Sequence, residues 1–162
     1  MPLVERAQAL QAEARQLFER LGLQSAFPWQ PQLIGSALSG LMVVRDLDVM
    51  FDAPATTASE VLQGLAVLSQ RVDLRSVDFR DERGDRRPTP AMTDERFSAV
   101  LHTDTWKIDL TFWLHVVDRP HVRDALRLAE VTEVQRLAIL RLKTERPELS
   151  STEIYAAVLG QT

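Results

Sequence analysis

The chain has 162 residues, of which 45% are hydrophobic and 26% charged. These values are ordinary for a soluble globular protein and suit one domain, with room for a short helical appendage. It contains no cysteine, which excludes a disulfide framework, a thiolate metal site and a cysteine nucleophile. The net charge of −4 argues against a protein whose main task is to neutralise phosphate backbones, so nucleic acid is not expected as a partner.

The histidines and arginines add little to this picture. His102, His115 and His121 are too scattered to form a histidine-built zinc site. The six arginines between positions 71 and 87 alternate with acidic residues, which indicates a solvated surface rather than a nucleic-acid stripe.

Residues 1–30 lack the apolar stretch of a signal peptide, and no window has the apolar run that crosses a bilayer. We therefore expect a cytoplasmic protein without a membrane partner; association into an oligomer stays open.

The first half of the chain alternates between helical and strand patterns. Apolar residues recur at spacings of three and four over residues 3–21, which predicts an amphipathic helix. A proline-containing connector leads to a short strand, Leu33–Ile34, followed by Gly35-Ser36 and a short helical stretch at 37–41. Residues 46–51 alternate like a strand with one apolar face.

The middle of the chain continues this mixture of helix and strand. Thr57 and Glu60 form a capping-box pattern that opens a helix over residues 57–70. Residues 72–79 predict a strand whose broken alternation indicates a bulge. Residues 82–94 are rich in Gly, Pro, Arg and Asp and are predicted to form a loop.

The remaining residues predict a hairpin and a helical tail. Alternating residues over 97–101 and 106–114, joined by a turn at 102–105, indicate the hairpin. Capping-box patterns open helices at 132–145 and 151–159. Together these elements predict an α+β fold, a mixed sheet flanked by helices, with a core at residues 1–117 and a C-terminal helical segment at 118–162 packed on it.

Two carboxylates in one strand stand out chemically. Asp46 and Asp48 are two residues apart between apolar neighbours, so both side chains project from the same face of the strand. Adjacent carboxylates on such a face repel one another unless water or a cation separates them. Mg²⁺ suits the position because it prefers hard oxygen ligands and few protein carboxylates. A surface edge strand is the alternative reading.

Two further features strengthen the argument for a metal and phosphate site. Gly35-Ser36 lies between a strand and a short helix, where backbone N–H groups and a hydroxyl can contact a phosphate. Alternatively, Ser36 is only the N-cap of that helix. Asp109 is a third carboxylate, in a strand with one hydrophobic face. It lies on the opposite face together with Lys107 and Thr111. As an alternative to a metal ligand, Asp109 could simply form a salt bridge with Lys107.

The ordered set of these residues resembles a known signature. Gly35-Ser36, nine residues, Asp46-Leu47-Asp48 and then Asp109 in a distant strand are similar to the motif of the DNA polymerase β-like nucleotidyltransferase superfamily. That superfamily includes aminoglycoside and lincosamide nucleotidylyltransferases and the minimal nucleotidyltransferases of some toxin–antitoxin pairs. The resemblance covers residues 33–113.

The resemblance implies a Mg²⁺-dependent transfer of a nucleoside monophosphate from a nucleoside triphosphate to a hydroxyl of a small molecule or protein. Asp46, Asp48 and Asp109 would be the catalytic residues and the metal ligands, and Asp109 could also act as general base. Gly35 and Ser36 would hold the β- and γ-phosphates.

Some residues outside this motif carry open alternatives. Lys143, near the end of a helix, could reach the triphosphate or merely favour that helix terminus. Tyr155 could stack on a base, although packing is the commoner role of such a residue.

Two departures from the motif leave a second function open. Arg45 stands where relatives usually carry a small residue, although alternation points it away from the aspartates. The chain also shows no second domain that would bind an acceptor. The alternative to an enzyme is a non-catalytic nucleotide-binding sensor or a toxin–antitoxin-type partner protein.

Overall fold

The structure of the chain is a computed structural model that describes residues 1–87, 95–115 and 120–160. Helices and strands interleave along it, in the following chain order: α1 Leu3–Leu21, α2 Leu23–Ala26, β1 Pro31–Ile34, α3 Gly35–Ser39, β2 Asp46–Asp52, α4 Ala58–Ser69, β3 Ser76–Glu82, a 3₁₀ turn Gly84–Arg86, β4 Arg96–His102, β5 Lys107–Trp113, α5 Pro120–Ala129, α6 Glu133–Glu145 and α7 Ser151–Leu159. Within these ranges no helix is both long and apolar enough to cross a membrane.

The five strands form one mixed sheet in the order β1-β2-β5-β4-β3. β2 and β5 run parallel, and the other neighbouring pairs are antiparallel. The predicted α+β class is therefore confirmed. Strands β2 and β5, which are distant in the sequence, are neighbours inside the sheet. Their register places Asp48 beside Asp109 and Asp46 beside Lys107.

One face of the sheet packs against α1, α2 and α4. Its strands contribute alternate residues, while the helices contribute residues spaced three or four apart; the main members are Leu10, Leu17, Leu21, Leu47, Val49, Phe51, Val61, Leu68, Phe97, Leu101, Ile108, Leu110 and Phe112. Phe27 lies among these side chains, 5.1 Å from the Phe51 ring and 4.9 Å from the Phe112 ring between centroids. Burying a side chain of this size contributes about 1.5–3 kcal/mol each.

A second hydrophobic cluster joins the C-terminal helices to the rest of the protein. It contains Ala7 of α1 and Leu41, together with Ile139 and Leu140 of α6 and Ile154 of α7. Helix α1 therefore contributes to both clusters. The division of the chain into 1–117 and 118–162 stays a prediction, and residues 116–119 lie outside the described part of the chain.

Most predicted elements have the expected type and place. The helix predicted at 3–21 begins and ends at those residues, and Thr57, Thr132 and Ser150 each form a complete capping box. The hairpin is also present: Thr103 donates from its N–H to the Trp106 carbonyl at 2.9 Å across the turn.

The strand predicted at 72–79 is displaced and has no bulge. β3 begins at Ser76, and its pairing with β4 is continuous from Ser76 to Glu82. Val72 and Leu74 pack against the core from the connector after α4, so the break in alternation comes from that connector rather than from a bulge. The expected loop at 82–94 holds the end of β3 and the 3₁₀ turn, and its part at 88–94 lies outside the described residues.

We expect Gly64→Ala in α4 to destabilise the protein, although alanine normally favours a helix by about 1 kcal/mol over glycine. A Cβ atom at this position would lie 2.1 Å from Cε1 of Phe27, whose buried ring packs against the rings of Phe51 and Phe112. Overpacking of this kind costs about 1–3 kcal/mol. Urea unfolding measures the change. The exposed neighbour substitution Gln63→Ala is the control; equal stability of wild type and Gly64→Ala would contradict the packing described here.

Candidate active site

Three aspartates lie together on the sheet face opposite the sheet's hydrophobic core. Asp46 and Asp48 alternate in β2 with the buried residues Leu47 and Val49, and Asp109 lies in β5 between buried neighbours. Residues in register on neighbouring strands point to the same side of a sheet. The pairing of Asp48 with Asp109 therefore brings the hairpin carboxylate next to the other two, as the sequence predicts.

At Gly35 the backbone comes into close contact with one of the three aspartates, Asp48. Gly35 follows β1 directly and has a φ of +64°, a left-handed conformation that glycine adopts without steric cost. A Cβ atom here would lie 2.5 Å from Oδ2 of Asp48. The glycine is therefore required both by the backbone conformation and by the approach of Asp48.

Ser36 points its hydroxyl at a distant lysine. Lys143 Nζ of α6 donates to Ser36 Oγ at 3.0 Å and to the Leu41 carbonyl at 2.9 Å. The same ammonium lies 5.3 Å from the centre of the Tyr155 ring. The N-cap of α3 is Ile34, so the alternative role of Ser36 as N-cap is wrong. The structure thus brings Gly35, Ser36 and Lys143 to one edge of the site.

Burial raises the pKa of all three aspartates. Burial, followed by the charges of Asp46 and Asp109, raises the pKa of Asp48 to about 7. Burial also raises the pKa of Asp46 and of Asp109, while the Lys107 ammonium opposes the increase at both. Neighbouring carboxyl groups with raised pKa values are typical of functional sites, including sites that bind a cation.

The described residues satisfy the Asp46 carboxylate only in part. Its Oδ1 atom is buried and, within the described part of the chain, has no hydrogen-bond partner, which costs free energy unless something else satisfies it. In the same residues, no three His, Cys, Asp or Glu side chains are grouped closely enough to hold a metal ion by themselves. Mg²⁺ usually takes only one or two carboxylates and completes its shell with phosphate oxygens and water. The donor set therefore fits Mg²⁺ bound together with a phosphate ligand.

A cavity of about 1120 Å³ opens beside the aspartates. Its lining comes from the sheet and from the helices, and includes Gly35, Ser36, Asp48, Arg96, Asp109, Thr111, Trp113, Asp124, Arg127, Gln135, Thr152 and Tyr155. This volume slightly exceeds the usual range for small-molecule sites, about 300–1,000 Å³. A separate concavity of about 560 Å³, lined by Thr56, Arg83 and His115 among others, contains none of the three aspartates.

Sequence reasoning missed Arg96. Its guanidinium lies 5.0 Å from the Trp113 ring centre and donates from Nε to Glu82 Oε2 at 2.5 Å. It lines the cavity beside Asp109 and, after Lys107, is the other cation that lowers the pKa of that carboxyl. The outward-facing position of Arg96 in its strand was the only available signal, and arginines in such positions are usually solvated.

Arg45, which departs from the motif, lies away from the aspartates. Its guanidinium binds the Glu13 carboxylate of α1, with Nε 2.8 Å from Oε2 and Nη2 3.3 Å from Oε1. Helix α1 covers the opposite, hydrophobic face of the sheet, so the Arg45 side chain lies away from Asp46, Asp48 and Asp109.

Solved structures share this fold. The Cid1 poly(U) polymerase, in a structure with Mg and 3′-dATP bound, matches with a TM-score of 0.57 and 18% identity over 82% of this chain. A chain of the GLD-2/RNP-8 complex matches with a TM-score of 0.57 and 13% identity over 96% of this chain. The fold is nucleotidyltransferase-like. The match covers 40% and 64% of the two neighbours' own chains, so this chain spans less than two thirds of either.

Identities this low show a shared fold and leave the activity to be argued from the site. No protein-family profile matches the sequence, and no curated protein matches it. The resemblance to the polymerase β-like superfamily is confirmed as far as the nucleotidyltransferase-like fold. The narrower likeness to antibiotic and minimal nucleotidyltransferases stays a prediction.

We expect the metal-free protein to lose stability as the pH rises from about 4 to about 7. The pKa of Asp48 is 3.8 in a free carboxyl and about 7 in the fold, so the native state binds more protons than the unfolded state in that interval. The slope of the unfolding free energy with pH is then negative. One pKa unit is worth about 1.4 kcal/mol; with partial exposure allowed for, we expect a loss of about 2 kcal/mol.

Urea unfolding in EDTA at pH 5 and pH 8 measures this loss of stability. The raised pKa values of Asp46 and Asp109 act in the same direction. A metal-free protein that is more stable at pH 8 than at pH 5 would show that the pKa of Asp48 is not raised in the fold as described.

Proposed function

We propose that this protein is a Mg²⁺-dependent nucleotidyltransferase that moves a nucleoside monophosphate from a nucleoside triphosphate to an acceptor hydroxyl and releases pyrophosphate. The observation that carries the proposal is the convergence of Asp46, Asp48 and Asp109 on one sheet face, next to a glycine-serine turn. The shared fold with a poly(U) polymerase supports it.

The residues of the turn provide the proposed phosphate site. Ser36 offers a hydroxyl, and Lys143 offers an ammonium 3.0 Å from it, so a triphosphate placed here meets a positive charge and hydrogen-bond donors. The Gly35 conformation leaves no side chain between the turn and Asp48. Both features favour a ligand that bridges the turn and the carboxylates, as a metal-bound triphosphate does.

Asp46, Asp48 and Asp109 would hold the metal ions. When bound, Mg²⁺ neutralises charge on the attacking and departing oxygens of an in-line displacement. The acceptor oxygen forms a bond to the α-phosphorus, the bond from that phosphorus to the bridging oxygen breaks, and pyrophosphate takes the electron pair. The acceptor proton would pass to the Asp109 carboxylate, which lies beside Asp48 in the register of β2 and β5.

The test is incubation with each of the four nucleoside triphosphates in Mg²⁺ and in EDTA. We expect one or more of them to bind in Mg²⁺ only, measured by calorimetry, and to release pyrophosphate when an acceptor is present. Acceptor pools of hydroxylated small molecules, of proteins and of RNA separate the acceptor classes; we propose a small molecule or a protein. A Mg²⁺-loaded protein that binds none of the four triphosphates would overturn the proposal.

The non-catalytic alternative makes a different prediction in the same experiment. A nucleotide sensor or a two-component partner protein would bind a triphosphate in Mg²⁺ without releasing pyrophosphate from any acceptor pool. Arg45 motivates that alternative in the sequence, but its ion pair with Glu13 leaves the geometry of the three aspartates undisturbed. The structure therefore offers no separate observation in its favour, and catalysis is the function we propose.

A further inference from the structure

Lys107 is a charged side chain of the site to which the proposed reaction gives no role. It is the first residue of β5, directly beside Asp46 in the register of β2 and β5, and on the same strand face as Asp109. Its Nζ lies 3.9 Å from Asp46 Oδ2. This distance makes an ion pair and is too long for a hydrogen bond.

We propose that Lys107 is the counter-ion of the three carboxylates of Asp46, Asp48 and Asp109 in the metal-free protein, and that a divalent cation displaces its ammonium on binding. The inference rests on the proposed metal site and adds a residue that sets the affinity of that site. It is argued from the placement of Lys107 and from its incomplete contact with Asp46.

The contact geometry fits a replaceable partner rather than a fixed one. Asp46 Oδ2 faces the ammonium at a distance that leaves it without a hydrogen bond from Lys107, and Oδ1 of the same carboxylate is buried with no partner in the described part of the chain. The side chain of Lys107 is 45% exposed, so it can swing into water when its position is taken. The ion pair of Arg45 with Glu13, by contrast, is held by hydrogen bonds.

The surrounding charges show why a counter-ion is needed. Asp46, Asp48 and Asp109 share the face, and the other nearby cations are already engaged: Lys143 donates to Ser36 and the Leu41 carbonyl, and Arg96 donates to Glu82. His102 lies opposite Lys107 on β4, with its Nδ1 atom 3.2 Å from Ser76 Oγ. Among these side chains, Lys107 is the cation that makes an ion pair with the carboxylate group itself.

Removing this charge has two opposite expected effects. Without Lys107 the three carboxylates repel one another more strongly, so the metal-free protein becomes less stable. A metal ion no longer competes with the ammonium, so it binds more tightly. An opposite charge within about 4–6 Å changes the proton affinity of a carboxylate by about ten- to a thousandfold. Because Lys107 is half-exposed, we expect the smaller end, about a tenfold lower Kd for Mg²⁺ or Mn²⁺.

The experiment compares wild type with Lys107→Met, Lys107→Gln and the charge-retaining control Lys107→Arg. Calorimetric titration with MgCl₂ and with MnCl₂ at pH 8, without and with a nucleoside triphosphate, gives the Kd, and thermal unfolding in EDTA and in saturating metal gives the Tm. The neutral variants should show the lower Kd, a lower Tm in EDTA and a larger Tm increase on adding metal, while Lys107→Arg should resemble wild type. The Gln variant guards against a folding defect specific to Met.

The contrary outcomes separate this inference from the proposed function. If wild type binds the metal and both neutral variants bind it equally or more weakly, Lys107 is not a displaced counter-ion. If the neutral variants bind the triphosphate in Mg²⁺ more weakly than wild type while their metal Kd is unchanged, Lys107 is a phosphate ligand and the inference is also wrong. If wild type and all variants bind no metal, with or without triphosphate, the metal site of the proposed function itself is overturned.

Discussion

Replacing Asp48 by asparagine is expected to reduce nucleotidyl transfer by about a thousandfold, as is found when a group that stabilises charge in a transition state is removed. Asp48 lies at the centre of the carboxylate group, beside Asp109 and next to Gly35. The substitution removes a metal-binding charge with almost no change in volume. Pyrophosphate release in Mg²⁺, with the triphosphate and acceptor identified for wild type, measures the effect.

The same variant should be more stable than wild type when no metal is present. Asparagine removes the carboxyl whose pKa is raised to about 7, so the loss of stability between pH 4 and pH 7 should become shallower. Urea unfolding in EDTA at pH 8 is expected to show a gain of about 2 kcal/mol. Lower activity with higher stability distinguishes loss of a site from loss of the fold.

Asp52→Asn is the matched control because Asp52 is the exposed last residue of the same strand. We expect it to retain wild-type transfer, because Asp52 is not among the residues that line the cavity beside Asp48 and Asp109. Full transfer activity of Asp48→Asn in Mg²⁺ would show that Asp48 does not bind the catalytic metal. Equal loss in both variants would point to a general effect of charge on this strand.

Replacing Gly35 by alanine should remove most of the activity although no catalytic side chain is replaced. The added Cβ atom would approach Asp48 Oδ2 to 2.5 Å, and the backbone would have to keep a φ of +64°. Either the turn or the carboxylate must move, and a displacement of about 1 Å at a catalytic group can cost about a hundredfold in rate. We expect weaker binding of Mg²⁺ with triphosphate together with slower pyrophosphate release.

Gly84→Ala isolates the contribution of the backbone. Gly84 has a φ of +58°, close to that of Gly35, but a Cβ atom there would meet nothing within 4 Å. Both variants should therefore lose about 1–2 kcal/mol of stability from the left-handed backbone, while only Gly35→Ala should lose activity. Wild-type kinetics in Gly35→Ala would mean that the close contact with Asp48 has no part in the reaction.

The sequence alone predicted the strand face on which each of the three aspartates lies, because strand alternation is a local property. A residue pattern of period two in 46–51 and in 106–114 fixes which side chains share a face, whatever the strands pair with. Helix ends are local in the same sense, since the capping boxes at Thr57, Thr132 and Ser150 are satisfied within four residues. The prediction of a strand over 72–79 was wrong at its start, because Val72 and Leu74 of the connector have the alternating spacing of strand residues.

What the tertiary structure decided is how distant residues meet. Parallel pairing of β2 with β5 sets Asp109 beside Asp48 and Lys107 beside Asp46. Packing of α6 brings Lys143 to Ser36, across 107 positions of the chain. Neither the ion pair of Arg45 with Glu13 nor the place of Arg96 at the cavity follows from local pattern. Periodicity assigns each side chain to a face of its own element, whereas the register of pairing and the packing of helices determine which faces come into contact.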